Sequence, residues 1–455
     1  MPTAEALRIK QTKSRIPYES IHIMTKKESN IYPWIVVALL WVVALLNYMD
    51  RQMLSTMQSN IALDIPALNN AEAFGALMAI FLWVYGIASP FSGAVADRIS
   101  RKWLIVGSLG VWSAVTFAMG YCDSFQQLMW LRGIMGISEA LYIPSALSLI
   151  ADYFTGKGRS LAIGLHMTGL YCGQALGGFG SLVATTWSWQ STFHWFGIIG
   201  VAYAVILIFL LHEKSGHGAA SPAQTAKQPK RNSESMIQSL AVVFGMVAFW
   251  VILFFFATSS IPGWATKNWL PTLFKDNLGM SMEWAGPMAT LTIAVSSFIG
   301  VMIGGPISDR WVKRNVRGRI FTSAIGLAMM IPALVLIGLA HNAWLSVLAG
   351  LFFGVGYGMF DANNMPILCQ FVSSRQRAMA YGFMNSLGVI MGAITTQLLG
   401  GLADSVGLGM CFAIMGGILL VALALQLCVL RPKYDDKDQE LAESASNLSA
   451  ETAEA

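Results

Sequence analysis

Charged residues are scarce in this chain of 455 residues. Asp, Glu, Lys and Arg together account for 12% of the sequence, about half the share usual in soluble proteins, whereas 55% of the residues are hydrophobic. So few charges cannot cover the surface of a water-soluble protein of this length. The composition therefore excludes a soluble globular protein, and we expect no nucleic-acid partner despite the net charge of +5.

Cysteine is rare as well, and the motifs of common enzyme classes are missing. The five cysteines stand singly, with neither the spacing of metal ligands nor that of a disulfide framework. No G-x-x-x-x-G-K-[ST] loop is present to bind nucleotide phosphates, which argues against an ATP-driven pump. His212 and His217 stand one residue too far apart for the shared helical face of a zinc-protease motif. We therefore expect neither an enzyme nor a bound cofactor or metal.

Apolar segments long enough to cross a bilayer as helices are abundant. Each spans roughly 20 residues, the length that a membrane requires, and short polar breaks separate them. The first 31 residues show no apolar core followed by a cleavage site, so we expect no removable signal peptide. We predict an all-α integral membrane protein with twelve transmembrane helices near residues 33–58, 73–96, 103–121, 126–151, 159–184, 191–212, 239–263, 284–308, 319–340, 344–371, 377–402 and 409–430.

The 29 Lys and Arg residues fall mainly on one set of the intervening loops. If the N-terminus lies inside, the inner segments hold most of these residues, whereas the outer loops hold only Lys267 and Lys275. Because cytoplasmic loops carry an excess of Lys and Arg, this distribution places both termini in the cytoplasm. We expect a multi-pass protein of the cell membrane, which in a bacterium is the inner membrane.

The loops after the second and eighth predicted spans repeat one motif, in which a glycine precedes an Asp-Arg pair and two further basic residues. The repeated residues are Gly93, Asp97, Arg98 and Arg101 in the first copy and Gly305, Asp309 and Arg310 in the second. The repeat predicts two six-helix halves joined by a polar linker. The expected segments are an N-terminal cytoplasmic tail at 1–31, a first bundle at 32–212, a cytoplasmic linker at 213–237, a second bundle at 238–431 and a C-terminal cytoplasmic tail at 432–455.

This duplicated motif resembles the signature of the major facilitator superfamily, G-x-x-x-D-R-x-x-R-R/K between spans two and three. The resemblance implies two parallel six-helix bundles that rock about a site near the bilayer midplane. The loop residues would then act as gates, because an acid beside several basic residues can make charge-assisted bonds to a neighbouring helix. In this interpretation Gly93, Asp97, Arg98, Arg101, Asp309 and Arg310 hold one face closed until the halves move.

A few ionisable residues lie inside the predicted spans: Asp50, Arg51, Arg132, Glu139 and Asp361. Charged side chains at membrane depth are costly and normally mark a pathway or a site. Seven residues separate Arg132 from Glu139, so both lie on one helical face about 10 Å apart, too far for a direct pair. Arg51 should lie at the depth of Arg132. The second half supplies only Asp361 and amides, so we expect the charged cluster in the first half.

These residues suggest a coupling mechanism. With both carboxylates ionised, Asp50 and Glu139 occupy the two arginines, and protonation frees the arginine forks for a carboxylate substrate. A buried acid beside an arginine can be tuned to exchange protons near neutral pH. The alternative is that the four residues are structural ion pairs that fix helix packing. Asp361 is equally well explained as a second proton site or as a polar cavity wall.

The pattern Asn-Tyr-x-Asp-Arg in the first span, with Arg132 and Glu139 in the fourth, resembles the anion:cation symporter branch of this superfamily. The resemblance implies proton-coupled symport of a sugar acid or a related carboxylate by a monomer that needs only substrate, protons and membrane lipids. It implies that Arg51 and Arg132 bind the substrate and that Asp50 and Glu139 bind protons.

The same branch resemblance suggests Tyr48, Tyr85 and Asn385 as hydrogen-bonding candidates. Spinster-like exporters of lysophospholipid or amphipathic compounds share an Asp-Arg in span one and a Glu in span four, so lipid export is the alternative. A receptor that does not transport would need a soluble output domain, which the sequence lacks.

Overall fold

The computed structural model describes residues 31–96, 99–154, 158–213, 244–372 and 377–432. Helices account for all the regular secondary structure in these ranges, and no strand occurs in them. The predicted tails and most of the predicted linker lie outside the described residues, as do Asp97 and Arg98 of the first gate motif.

The first group of helices comprises α1 Tyr32–Thr56, α2 Gln58–Ile61, a short 3-10 turn Pro66–Asn69, α3 Ala71–Ala96, α4 Arg101–Met119, α5 Phe125–Ala140, α6 Tyr142–Tyr153, α7 Arg159–Gly177, α8 Gly180–Thr186 and α9 Trp189–Leu210. The second group comprises α10 Val247–Leu278, α11 Met282–Val312, α12 Gly318–Leu339, α13 Ala343–Asp361, α14 Asn364–Cys369, α15 Arg377–Ala403 and α16 Leu408–Val429.

Eleven helical segments in the described part of the chain are long and apolar enough to cross a membrane. They correspond to eleven of the twelve predicted spans. The remaining prediction, residues 159–184, falls on α7 and α8, which are separated at Gly178 and are not among the eleven. Helix α7 is rich in glycine and carries His166 and Gln174, both buried, so its polar residues face protein rather than lipid. The twelfth span therefore remains a prediction.

Two faces of the molecule are distinguished by the ends of the helices. The start of α1 and the end of α9 meet where the Tyr32 hydroxyl donates to the Leu210 carbonyl, and we call this end the terminal face. At the opposite end, the distal face, Trp189 and Gln190 donate to Asp64. The two groups of helices pack on each other mainly through α3 against α15 and α7 against α11.

The seam between the two helix groups is tightest toward the distal face. The carbonyl of Gly178 comes so close to Gly286 that a methyl group built on Gly286 would lie 2.5 Å from this oxygen. Gln52 donates across the seam to the Lys267 carbonyl at 2.7 Å. The Lys275 ammonium donates to the Ser59 hydroxyl at 3.3 Å. Among the described residues, no hydrogen bond joins the two groups at the terminal face.

Helix α10 corrects the predicted end of the seventh span. The prediction stops at Gly263, after Pro262, but the helix runs from Val247 through Pro262 and Pro271 to Leu278. Transmembrane helices tolerate internal prolines because neighbouring groups satisfy the freed backbone atoms. Lys267 was assigned to an outer loop, and this assignment is wrong: the residue lies inside the helix and faces the space between the groups.

The two copies of the gate motif make different contacts. In the first copy, Arg101 forms an ion pair with Asp152 at the end of α6, and its backbone N–H donates to Glu213 at 2.6 Å. In the second copy, Asp309 is 72% exposed and lies 3.8 Å from Arg319. Each of these contacts stays within one group of helices. Gly93 lies near the end of α3, and no contact of Arg310 across the seam is seen among the described residues. The gating role of both copies remains a prediction.

Candidate functional site

A buried ion pair joins α1 to α5. Arg51 Nε donates to Glu139 Oε2 at 2.6 Å, and Glu139 is completely buried while the Arg51 side chain is 12% exposed. A short bond of this kind is charge-assisted and stronger than a bond between neutral groups. Arg51 Nη2 and Glu139 Oε1 have no hydrogen-bond partner among the described residues. Arg51 also interacts with the Tyr85 hydroxyl, and Glu139 with the Asn47 amide.

The Phe81 ring of α3 lies against both buried guanidinium groups. The Arg51 Cζ atom is 4.8 Å from the ring centroid and the Arg132 Cζ atom 4.7 Å from it, so the two arginines lie at one depth, as their positions in the sequence indicate. Contact with an aromatic face partly stabilises a cation without using its N–H donors. Arg132 is 3% exposed and donates only to the Met135 sulfur, at 3.2 Å, and its Nε atom has no partner in the described structure.

Asp50 points away from Arg51, its neighbour in sequence. Its carboxylate accepts a hydrogen bond of 3.2 Å from the Thr116 hydroxyl of α4, and the residue is 7% exposed. Adjacent residues on a helix project about 100° apart, so one turn of α1 presents Arg51 to α5 and Asp50 to α4. Asp50 still interacts electrostatically with Glu139 and Arg132. The Thr116 hydroxyl is also 3.0 Å from the Trp112 carbonyl of its own helix, the usual bond of a threonine in a transmembrane span, so sequence reasoning missed its contact with Asp50.

The two tyrosines proposed as substrate contacts lie next to Arg51. Its guanidinium carbon is 5.0 Å from the Tyr48 ring centroid and 4.7 Å from that of Tyr85. Asn385, the third candidate, lies in α15 beside Ser386, which donates to the Gly86 carbonyl. Among the described contacts, none joins Asn385 to the arginines. The structure thus brings Tyr48 and Tyr85 to the cluster and leaves Asn385 outside its immediate contacts.

The second group of helices contributes a cation that sequence reasoning missed. The Lys267 ammonium lies 4.9 Å from the Trp264 ring centroid, 5.7 Å from that of Tyr357 and 6.0 Å from that of Tyr48. It makes no hydrogen bond or ion pair within the part of the chain that the structure describes. The expectation that this half supplies only Asp361 and amides is therefore wrong. The apolar residues Trp269, Leu270, Leu273 and Phe274, at helical spacing after Lys267, were the signal that the helix continues.

Asp361 faces Lys267 across the open space. It is the last residue of α13, its Oδ1 atom accepts a hydrogen bond of 3.2 Å from Asn364, and its side chain is exposed. It interacts electrostatically with Lys267 and with the hydroxyls of Tyr48, Tyr171, Tyr357 and Tyr381. These tyrosines come from both groups of helices. We call the space that they surround, with Lys267 and Asp361, the central cleft.

The acids of the two halves occupy equivalent breaks in the helices. Glu139-Ala140 is followed by Pro144, and Asp361-Ala362 by Pro366 at the same spacing. A proline cannot donate to the carbonyl four residues earlier and clashes with it, so each helix is interrupted near the alanine. Helix α5 accordingly ends at Ala140 and α13 at Asp361. This repeat is visible in the sequence, and it places an acid beside freed backbone groups in each half.

A separate cavity of about 530 Å³ lies at the distal end of the seam and contains none of these charge pairs. Its lining includes Ser59, Lys275, Asp276 and Asp404. Within the described residues, no group of three or more His, Cys, Asp or Glu side chains is placed to hold a metal ion.

Comparison with known proteins identifies the family. The family model described as Major Facilitator Superfamily matches residues 40–396, with a second match over 316–452. The chain belongs to the major facilitator superfamily. It is therefore a transporter rather than an enzyme, and a multi-pass membrane protein, as its composition predicts.

Relatives in this superfamily extend over most of the chain. The probable galactarate/D-glucarate transporter GarP of Escherichia coli (strain K12) is 24% identical over 445 residues, which cover 89% of this chain and 96% of GarP. The hexuronate transporter of Bacillus subtilis (strain 168) is 26% identical over 415 residues, which cover 87% of this chain and 94% of that transporter.

Among solved structures, a bacterial homolog of the human lysosomal transporter Spinster, in an inward-facing and unoccupied conformation, superposes with a TM-score of 0.74. It shares 18% sequence identity, and the superposition covers 87% of this chain and 96% of the homolog. This likeness shows that the two proteins have the same fold. At this identity it does not favour lipid as the substrate.

Proposed function

We propose that this major facilitator protein is a proton-coupled symporter of a small organic anion, a sugar acid or a related carboxylate. The observation that carries the proposal is the pair of buried arginines on Phe81, one of them bonded to Glu139. Two guanidinium groups in a buried site suit a carboxylate, whose two oxygens match the planar fork of arginine. The names of the sugar-acid relatives support the same substrate class.

The Arg51–Glu139 bond provides the coupling in this proposal. When Glu139 takes a proton, its carboxyl group no longer balances the arginine, and the Arg51 fork becomes available to the substrate carboxylate. Arg132, which also contacts the Phe81 ring, supplies the second fork. Asp50, held by Thr116, is the second proton site. Proton and anion binding therefore favour each other, as symport requires.

The same proposal includes the topology. Helices α7 and α8 together form the twelfth span, and the terminal face with both termini is cytoplasmic. Two six-helix bundles, at residues 32–212 and 238–431, move as units about the central cleft and open it alternately to the two sides of the membrane. The residues of the two gate motifs, Gly93, Asp97, Arg98, Arg101, Asp309 and Arg310, control the closing of that face. The transporter acts as a monomer.

Uptake of radiolabelled sugar acids into proteoliposomes with an imposed pH gradient tests the proposal. We expect gradient-driven uptake of at least one sugar acid by the wild type. The Arg132→Ala variant should lose at least about a hundredfold in uptake, because truncating one partner of a buried charged contact costs several kcal/mol. Arg431→Ala is the matched control, since this arginine is exposed at the end of α16.

Two outcomes would overturn the proposal. If uptake driven by the gradient persists in Arg132→Ala at the level of Arg431→Ala, the arginines do not bind the anion. If none of the sugar acids is moved but lysophospholipid is, the protein is a lipid exporter instead.

A further inference from the structure

The charge pairs of the two halves occupy equivalent positions. Arg51 lies on α1, the first long helix of its half, and Lys267 lies on α10, the first long helix of the other. Their acids, Glu139 and Asp361, lie at the two matching helix breaks. We infer that the substrate is a dicarboxylate of four to six carbons, with one carboxylate on the arginines and the other on Lys267. This inference rests on the proposed function and specifies its substrate.

The surroundings of Lys267 suit a ligand. Its ammonium lies against the faces of the Tyr48, Trp264 and Tyr357 rings, which stabilise the positive charge. These contacts do not use its three N–H donors. Asp361 balances its charge electrostatically, without an ion pair within the described structure. A carboxylate that enters the cleft can therefore bond to Lys267 without first breaking a hydrogen bond. A lone structural lysine would instead be paired, or would extend to water.

The distance between the cations fits a short diacid. The Arg51 guanidinium and the Lys267 ammonium lie 5.0 and 6.0 Å from the centroid of the same Tyr48 ring, so they are at most about 11 Å apart. The terminal carboxyl carbons of a six-carbon chain are separated by at most about 6 Å. A carboxylate oxygen lies about 2.8 Å from the nitrogen that donates to it. A chain of four to six carbons can therefore reach both cations, with Tyr48 beside its middle.

Charge balance supports the same ligand class. The described charged groups of the site are three cations, Arg51, Arg132 and Lys267, and three acids, Asp50, Glu139 and Asp361. With Asp50 and Glu139 protonated, as proposed, the three cations and the one remaining anion leave a net charge of +2, which a dicarboxylate balances. A monocarboxylate leaves the Lys267 end with only a hydroxyl or an aldehyde to accept from its ammonium. A site that presents a charged donor rejects a ligand lacking the matching acceptor, because the buried donor is then left unpaired. The second carboxylate should therefore raise affinity substantially.

Matched acids of one carbon skeleton test the inference. We would measure the binding of galactarate, galacturonate and galactonate to the purified protein by calorimetry, because the three share one carbon skeleton and differ in the oxidation of its terminal carbons. Galactarate and galactonate are both open chains, whereas galacturonate is mainly a closed ring. The wild type should bind the diacid at least about tenfold more tightly than either monoacid, as expected for a charged hydrogen bond. Lys267→Gln should abolish this preference while changing monoacid affinity less than about threefold, and Lys267→Arg should retain the preference.

Lys275→Gln is the matched control variant, since this lysine lies on the same helix but bonds to Ser59 at the distal cavity. It should leave the preference unchanged. If the wild type binds monoacids as tightly as the diacid, or if Lys267→Gln weakens all three acids equally, the inference is wrong and the proposed function stands. If none of the three acids binds or is transported, the proposed function itself fails.

Discussion

The charge pair of the N-terminal half is closed, and that of the C-terminal half is open. Arg51 and Glu139 share a bond of 2.6 Å in a buried setting, whereas Lys267 and Asp361 interact across the cleft without a direct bond in the described structure. Both pairs use a cation on the first long helix and an acid at a proline-induced break. In the proposed mechanism, a proton must open the closed pair, whereas the open pair is ready for the anion.

The largest difference between the two pairs should be in the free energy of unfolding after the cation of each pair is removed. Arg51→Ala leaves Glu139 buried without its partner and should lower the free energy of unfolding by about 3 kcal/mol or more. Lys267→Ala should cost less than about 1 kcal/mol, because Asp361 is exposed to the cleft. Thermal unfolding in detergent measures both variants. The double variant Arg51→Ala/Glu139→Ala should recover part of the loss, and equal losses for the two single variants would remove the distinction.

Neutralising each acid should separate proton coupling from binding. Glu139→Gln removes the charge that holds Arg51, so exchange of substrate across the membrane should persist while accumulation driven by a pH gradient falls by about tenfold or more. Asp361→Asn should reduce accumulation by less than about fivefold, since its interaction with Lys267 is not a direct bond. Counterflow and gradient-driven uptake in the same vesicles give the comparison. A larger loss of coupling in Asp361→Asn would make the open pair the proton site.

Replacing the proline at each helix break tests whether the two breaks are equally important for transport. Pro144→Ala restores a backbone donor that can bond to the Ala140 carbonyl, and this should shift Glu139 relative to Arg51 and reduce uptake by about tenfold, since their bond is short. Pro366→Ala should reduce uptake by only a few fold because Asp361 has no direct bond to maintain. Hydrogen exchange of peptides covering 139–148 and 361–370 shows whether each break has closed. Unchanged exchange in both variants would mean that proline does not cause the breaks.

The smallest effect concerns the partner of Asp50. Thr116→Val removes one hydrogen bond to this acid, worth about 1 kcal/mol, and should lower uptake by about fivefold. Thr322→Val is the control, because Thr322 is equally buried in α12 and, like Thr116, bonds to a carbonyl of its own helix, but its hydroxyl bonds to no acid among the described residues. If both variants behave alike, Thr116 has only a structural role.

Much of the fold was predictable because the bilayer imposes a strong constraint on sequence. A helix that crosses it needs about 20 apolar residues, so most spans are visible as apolar segments. The end of the seventh span was misplaced because prolines lie inside it, at Pro262 and Pro271 of α10, and the span that stays a prediction covers α7, which carries buried polar residues. In such helices the polar groups are satisfied by neighbouring helices, which no local pattern reveals. The misplaced end of the seventh span is also the reason why Lys267 was missed.

The sequence predicts which residues form the candidate site better than it predicts the bonds between them. The charges at Asp50, Arg51, Arg132, Glu139 and Asp361 are conspicuous in an apolar chain, since the cost of burying them marks them as a group. Their common depth also follows from helical geometry, as the contact of both arginines with Phe81 shows. The pairing of Arg51 rather than Arg132 with Glu139 depends on helix rotation, and so does the turning of Asp50 toward Thr116.

Composition, apolar length and the motif repeat therefore determine that this chain is a membrane transporter of the major facilitator superfamily, because these properties reflect the solvent and the local backbone. Which cation faces which acid is determined by packing between helices that are far apart in sequence. Arg51 and Glu139 are 88 residues apart, and Tyr48 and Lys267 meet across the seam between the halves. Rotations of a helix by a fraction of a turn decide these contacts, and such rotations depend on side-chain packing across the whole molecule.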